Sequence, residues 1–144
     1  MGITNPGEPY FKNGGWGWNG SEWVKLGVVW GYSAVYQESA VNNDAAAGTN
    51  YLSGAVVPAG EVWVLTNIIV WDLATANSYI NLMLHDGVNV HVIHRKKGPT
   101  ADVAEEWSGH VYLQAGDKLY CGFYGCALHD VLSMTGFGYK MKVA

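Results

Sequence analysis

Apolar residues along this chain recur at every second position or in short unbroken runs, and turn residues separate the runs. Period-two alternation marks a strand half-buried on a sheet, whereas a helix needs apolar residues at i, i+3, i+4 and i+7. No stretch keeps the helical spacing, and Val, Ile, Tyr, Trp and Thr dominate the runs. The pattern predicts strands over residues 28–37, 51–57, 61–71, 79–84, 88–95, 106–113, 118–124 and 132–143. Eight strands is the usual jelly-roll count. The expected fold is therefore all-β: a jelly-roll-like antiparallel β-sandwich over residues 28–144. Residues 1–27 are read as an N-terminal arm and a Trp-rich β-hairpin. In that hairpin Trp16-Gly17-Trp18 turns at Asn19-Gly20-Ser21 into Trp23-Val24-Lys25-Leu26, and Asn-Gly favours the turn because both residues tolerate positive φ. The polar stretch 39–50 reads as a long loop, with room for one helical turn at Ala45-Ala46-Ala47.

Finer expectations follow from the same pattern. A three-residue loop at His85-Asp86-Gly87 pairs Leu84 with Val88, Leu82 with Val90 and Ile80 with Val92, which gathers the aliphatics on one face and puts Gly87 at positive φ. The strand at 61–71 is apolar on both sides. Strict alternation places Val62, Val64, Ile68 and Val70 on one face and Trp63, Leu65, Ile69 and Trp71 on the other. A second apolar face needs a cover, and another subunit is the simplest one, ahead of the chain's own N-terminal hairpin. In the last strand the apolar parity changes near Gly136, which a bulge there would explain. Val57-Pro58-Ala59-Gly60-Glu61 is echoed by Leu113-Gln114-Ala115-Gly116-Asp117. The echo predicts two equivalent corners, each with a turning glycine and an acid that caps backbone N–H groups.

Composition narrows the class of function. The chain of 144 residues has 7 Trp and 9 Tyr, yet only 14% of its residues are charged. About 25% is ordinary. Large amphipathic rings in such number fit a protein that buries surface against neighbours. The net charge of −4 argues against a sequence reader of nucleic acid, which normally carries a basic face. Arg95-Lys96-Lys97, followed by Gly98-Pro99, reads as a solvated loop tip. The first ten residues hold no apolar core of a signal peptide, and no run nears the ~20 apolar residues that span a bilayer. The expectation is synthesis in a cytoplasm without membrane insertion. Cys121 and Cys126, five apart on one strand, are expected on opposite faces as reduced, buried thiols.

Candidate chemistry is sparse. His91 and His94 are three apart, so on a regular strand they face opposite ways, and His85, His110 and His129 stand elsewhere. The His-x-His pair of metal-binding cupins is absent. There is no Gly-x-Ser-x-Gly elbow, and Glu105-Glu106 diverge from a loop-to-strand boundary. The sequence thus offers no catalytic residue, no metal motif and no cofactor motif. The contact set is placed on Trp16, Trp18, Trp23, Trp30, Trp63 and Trp71, and a sugar-stacking platform at Trp16, Trp18 and Trp23 is the rival use of the rings.

Trp18-Asn19-Gly20-Ser21-Glu22-Trp23-Val24-Lys25-Leu26 resembles the short Trp-x-Gly-Ser-x-Trp-x-x-Leu units of bacteriophage tail and fibre proteins. Trp30-Gly31-Tyr32-Ser33, the Pro-Ala-Gly-Glu and Ala-Gly-Asp corners and Gly138-Tyr139-Lys140-Met141 resemble small β-sandwich structural proteins of tailed-phage virions. The resemblance implies a non-enzymatic virion component, a homotrimer in contact with other virion structural proteins, in the tail or fibre tip, or on the capsid as a decoration protein. A receptor-binding module for a cell-surface glycan is the alternative it leaves open.

Overall fold

The computed structural model describes the backbone of residues 16–18, 23–25 and 29–143 and the side chains of residues 33–142. Every regular element among them is a β-strand. Strands β1 (Trp16–Trp18) and β2 (Trp23–Lys25) pair antiparallel with Trp18 opposite Trp23, so the Trp-rich hairpin forms. Its turn and the N-terminal arm lie outside the described residues. The eight expected strands follow: β3 (Val29–Asn42), β4 (Gly48–Ser53), β5 (Glu61–Asp72), β6 (Tyr79–His85), β7 (Val90–Lys97), β8 (Glu105–Leu113), β9 (Lys118–Cys126) and β10 (Leu132–Val143).

These eight build two antiparallel sheets, ordered β3-β10-β5-β8 and β4-β9-β6-β7. The pairs β6–β7, β5–β8, β4–β9 and β3–β10 are successive rungs of one long hairpin, shared alternately between the two sheets. The core lies between the sheets. Trp63, Leu65, Ile68, Val70, Leu113, Leu132 and Met134 come from the first sheet, and Leu52, Ile80, Leu82, Leu119, Cys121 and Phe123 from the second. At the open side, Lys96 of β7 bridges Glu105 of β8 at 3.1 Å and ties the two sheet edges together.

Strand β5 departs from strict alternation. Both neighbouring strands skip Thr66, because Leu65 pairs with Gly138 and Asn67 with Phe137, while on the other side Leu65 pairs with Val111 and Asn67 with Ser108. This bulge moves the core-facing set from odd to even numbers: Trp63 and Leu65 first, then Ile68 and Val70. Without it Ile68 and Val70 would face outward and Asn67 inward. Burying an aliphatic side chain contributes about 1.5–3 kcal/mol and burying an unpaired amide costs about 1–3 kcal/mol, so one inserted residue is the cheaper solution. The outer face of β5 is Val62, Val64, Asn67, Ile69 and Trp71. Val64 is fully buried although it lies outside the core cluster, between its cross-strand neighbours Tyr139 and Tyr112.

The same bulge corrects the expectation for β10. The irregularity sits on β5, one strand over from Gly136. β10 itself alternates: Leu132, Met134 and Gly136 face the core, and Phe137, Tyr139 and Met141 face away. Gly136 leaves room for Leu119 and the Tyr36 ring, and Gly138 for the Val64 carbonyl.

Other corrections have local causes. The stretch 39–50 is mostly strand, and only residues 43–47 connect β3 to β4. Ala45 makes no helical turn, because its N–H donates to Asp130 O and its carbonyl accepts from His129 N–H, which pins it into the core. The β6–β7 loop has four residues, so His85 pairs with Val90, Leu84 with His91 and Met83 with Val92. Asp86 sets that length: its Oδ1 accepts from the N–H groups of Val88 and Asn89, and its own N–H donates to Asn89 O. Hydrogen bonds from Asn89, His91 and Val88, in that order, hold the Asp86 carboxyl below the usual carboxylate range. Gly87 does take positive φ, but Val88, Val90 and Val92 are exposed rather than gathered on the core. Instead a bulge at Ile93 turns that residue toward the core. Arg95-Lys96-Lys97 is the paired end of β7 and not a loop tip.

The echoed corners meet in space. Gly60 and Gly116 both take positive φ, Gly116 N–H donates to Val57 O, and Val57 N–H donates to Asp117 O. Only one acid caps the backbone. Asp117 accepts from Gln114 N–H at 2.9 Å, whereas Glu61 accepts from the indole N–H of Trp63.

Candidate functional site

The outer face of the second sheet carries the densest aromatic cluster among the described side chains. In β9, Leu119, Cys121 and Phe123 fill the core, so Tyr120, Gly122 and Tyr124 point outward. The register sets Tyr79 opposite Tyr124, Asn81 opposite Gly122 and Met83 opposite Tyr120 on one side, and Tyr51 opposite Gly122 on the other. Four tyrosines therefore converge around a glycine. A Cβ on Gly122 would come within 2.9 Å of the Tyr124 ring and 3.1 Å of both Tyr51 and Met83. The missing side chain lets the rings close over Met83, which is buried on this face outside the core cluster.

The rings form a continuous array. Tyr79 stacks on Tyr124 with centroids 4.2 Å apart, Tyr51 stacks on Tyr120 at 5.2 Å, and Tyr51 meets Tyr124 edge to face at 6.1 Å. His85 sits edge-on to Tyr120 at 5.7 Å. The Arg95 guanidinium lies 4.8 Å over Tyr79 while its Nε donates to Asn81 Oδ1, and the Lys118 ammonium lies 5.7 Å from the Tyr120 ring. The hydrogen bond shared with the Tyr51 hydroxyl favours the neutral Tyr124 phenol, and with partial burial it pushes that pKa up to about 12. Partial burial raises Tyr120 as well. The array can stack a planar or apolar ligand, receive hydrogen bonds at its hydroxyls and offer two cations at its rim.

Trp63 and Trp71 lie on opposite faces of β5. Trp63 is 5% exposed in the core, with the Tyr36 ring at 5.1 Å and the Lys140 ammonium over it at 4.1 Å. Trp71 is 37% exposed on the outer face of the first sheet. Trp16, Trp18, Trp23 and Trp30 lie on β1, β2 and β3, and their side chains are outside the described set. Sequence reasoning placed the contact set on tryptophan and missed the tyrosines. The signal was present in Tyr120-Gly122-Tyr124, alternate residues of one strand, but Tyr51 and Tyr79 join them only through the register.

A second cluster closes one end of the sandwich, where β5 leads to β6 and β9 to β10. Gly125, at positive φ, is an extra residue between Tyr124 and Cys126. It turns Cys126 onto the same core face as Cys121, which corrects the expectation of opposite faces. Both thiols are free and buried, and burial raises the pKa of each. Beside Cys126 lie Asp72, Asp130 and Asn77, all buried. Asp72 Oδ1 accepts from the N–H groups of Ala74 and Thr75, and its Oδ2 accepts from Asn77 Nδ2 at 2.9 Å. Asp130 accepts from Thr75 Oγ1 and from Ala127 N–H.

The remaining candidates stand apart. The bulge at Ile93 puts His91 and His94 opposite Leu84 and Leu82, and so on one face rather than two. His91 is occupied by Asp86 at 2.8 Å. His85 Nδ1 accepts from Gly87 N–H, and His129 pairs with Asp44. Glu105 and Glu106 begin β8 and diverge, Glu105 to Lys96 and Glu106 to Asn67. A gap lined by Val70, Ile80, Leu82, His94, Lys96 and Glu105 has a volume of about 10 Å³, room for about one water and too small for a substrate. No protein-family model matches the chain, and no match was found among curated proteins.

Proposed function

We propose that this chain is a non-enzymatic contact subunit that works by shape and burial, with the tyrosine array on the second sheet as its docking face. The observation that carries the reading is the convergence of Tyr51, Tyr79, Tyr120 and Tyr124 around Gly122, with Arg95 and Lys118 at the rim. Tyrosine and arginine are the residue types enriched where protein surfaces bury each other. The strand pairing fits a jelly roll, and the low charge and high aromatic content fit a subunit of a larger assembly. Joined to the resemblance of the Trp hairpin and the corners, this supports the reading of a tailed-phage virion component of the tail or fibre tip, with a capsid decoration protein as the neighbouring assignment. Light scattering over a range of concentrations tests it. A stable trimer that Tyr79→Ala or Tyr124→Ala dissociates is the expected result. A monomer at every concentration removes its main support.

A second reading has its own observation. Asn81, Arg95 and His85 set polar groups beside parallel rings, as a carbohydrate-binding platform needs. Binding on a glycan array that Tyr51→Ala abolishes would favour it over the assembly reading.

A further inference from the structure

We infer that Asp72, Cys126, Asp130 and Asn77 form a structural site for a divalent transition-metal ion of the zinc class. Cys126 Sγ and one carboxylate oxygen each of Asp72 and Asp130 lie within 4.8 Å of one another, a span that one ion can bridge. The two aspartates are 3% and 2% exposed, and none of the ion pairs among the described residues reaches either of them. Two ionised carboxylates held this close and this dry repel each other, and a cation between them relieves that repulsion.

An independent observation points the same way. Asn77 is 2% exposed, and its Oδ1 is the one buried side-chain oxygen or nitrogen without a hydrogen-bond partner among the described residues. Its carboxamide is wedged into the cluster, with Nδ2 2.9 Å from Asp72 Oδ2 and 3.5 Å from Cys126 Sγ. A buried carbonyl oxygen left unpaired is costly, and a cation satisfies it. Nδ2 faces the cluster and Oδ1 faces away, so half a turn about the terminal bond exchanges the two: it gives up the Nδ2 contacts with Asp72 and Cys126 and presents Oδ1 to an ion that they hold.

The donor set selects the ion. Asp72 Oδ1 is filled by two N–H groups, while Asp72 Oδ2 and both Asp130 oxygens accept one bond each and keep a lone pair. The bonds from Ala74, Thr75 and Ala127 do not involve Asn77 and orient the carboxylates, as outer-shell donors do in metal sites. One sulfur with two carboxylates and an amide oxygen suits a four-coordinate zinc-class ion and disfavours calcium or magnesium, which take oxygen ligands alone. On binding, the Cys126 thiol gives up its proton to solvent and the sulfur bonds to the ion. The ion would join the β5–β6 and β9–β10 connections, and its role does not depend on the docking function of the tyrosine face.

The test uses the full chain after chelator treatment, titrated with Zn²⁺ by calorimetry and with Co²⁺ by absorbance. The expected result is one ion per chain, a raised unfolding temperature and a thiolate-to-cobalt charge-transfer band in the near ultraviolet. Cys126→Ser, nearly isosteric, should abolish the band and weaken Zn²⁺ binding at least tenfold, and Asn77→Ala should weaken it without removing the band. Absence of both band and stabilisation overturns the inference. So does a Zn²⁺ affinity that Cys126→Ser leaves unchanged, or stabilisation by Ca²⁺ equal to that by Zn²⁺.

Discussion

Tyr79 stacks on Tyr124 across the β6–β9 pair, with centroids 4.2 Å apart and planes 20° from parallel. The same Tyr124 shares a hydrogen bond with Tyr51, so one phenol is held by two others from different strands. This couples the array to alkaline pH. The folded-state pKa of Tyr124 is raised from 10.0 to about 12, so the native state keeps a proton that the unfolded chain releases. Its stabilising contribution is complete below pH 10 and is lost as pH rises toward about 12. Phenolate absorbance of the native protein should show a late-titrating tyrosine that Tyr124→Phe removes. A Tyr124→Phe titration superimposable on that of the parent would refute the assignment.

Trp63 and Trp71 belong to one strand but to opposite faces, and their substitutions should separate two properties. Trp63→Ala empties a core position packed on Tyr36 and should cost about 3–5 kcal/mol. Trp71→Ala removes a ring already partly in water and should cost less than about 1 kcal/mol. Urea unfolding reads both values. A change of mass by light scattering in Trp71→Ala alone would mark the outer face of the first sheet as a further subunit contact.

All eight sandwich strands were legible because alternating or unbroken apolar runs rich in β-branched and aromatic residues, set off by turn residues, mark a strand whatever its register. Which residue faces the core was legible only between bulges. Thr66, Ile93 and Gly125 each insert one position, and one position reverses every later side chain in a strand. Nothing local in Leu65-Thr66-Asn67 announces this. The decision is made by the cost of exposing Ile68 and Val70, which depends on the whole core. The tyrosine array and the Asp72–Cys126–Asp130 cluster were hidden for a related reason. Their members stand far apart in the chain and meet only through the rolled hairpin, so no spacing rule gathers them. The two corners were legible as turns, because Gly60 and Gly116 are needed at positive φ wherever the chain goes next. Their contact with each other was not.

Those corners carry an asymmetry that the echoed residues conceal. Asp117 is buried and caps Gln114 N–H, whereas Glu61 serves the Trp63 indole. Asp117→Ala should therefore cost about 1–2 kcal/mol through an uncapped backbone donor. Glu61→Ala leaves both backbone turns intact and should cost less. Denaturant midpoints of the two variants at neutral pH test the order, and equal losses would mean that the Asp117 cap contributes nothing special.

Gly138 is the position where a single methyl group should do the most damage. A Cβ built there falls 1.8 Å from the carbonyl oxygen of Val64 and 2.8 Å from its carbonyl carbon. The obstacle is backbone, on the strand that carries the Thr66 bulge, so no side-chain rotation relieves it. Either β10 moves away from β5 or the bulge is lost, and losing the bulge turns Ile68 and Val70 out of the core. Gly138→Ala should cost about 3 kcal/mol or more, above the ordinary range for overpacking. Gly60→Ala, with open space around its Cβ but a φ of +80°, should cost only about 1–2 kcal/mol from backbone strain. Equilibrium unfolding of the two variants side by side checks the ranking. A Gly138→Ala protein as stable as Gly60→Ala would mean that the β5–β10 pair tolerates a wider spacing than this close approach implies.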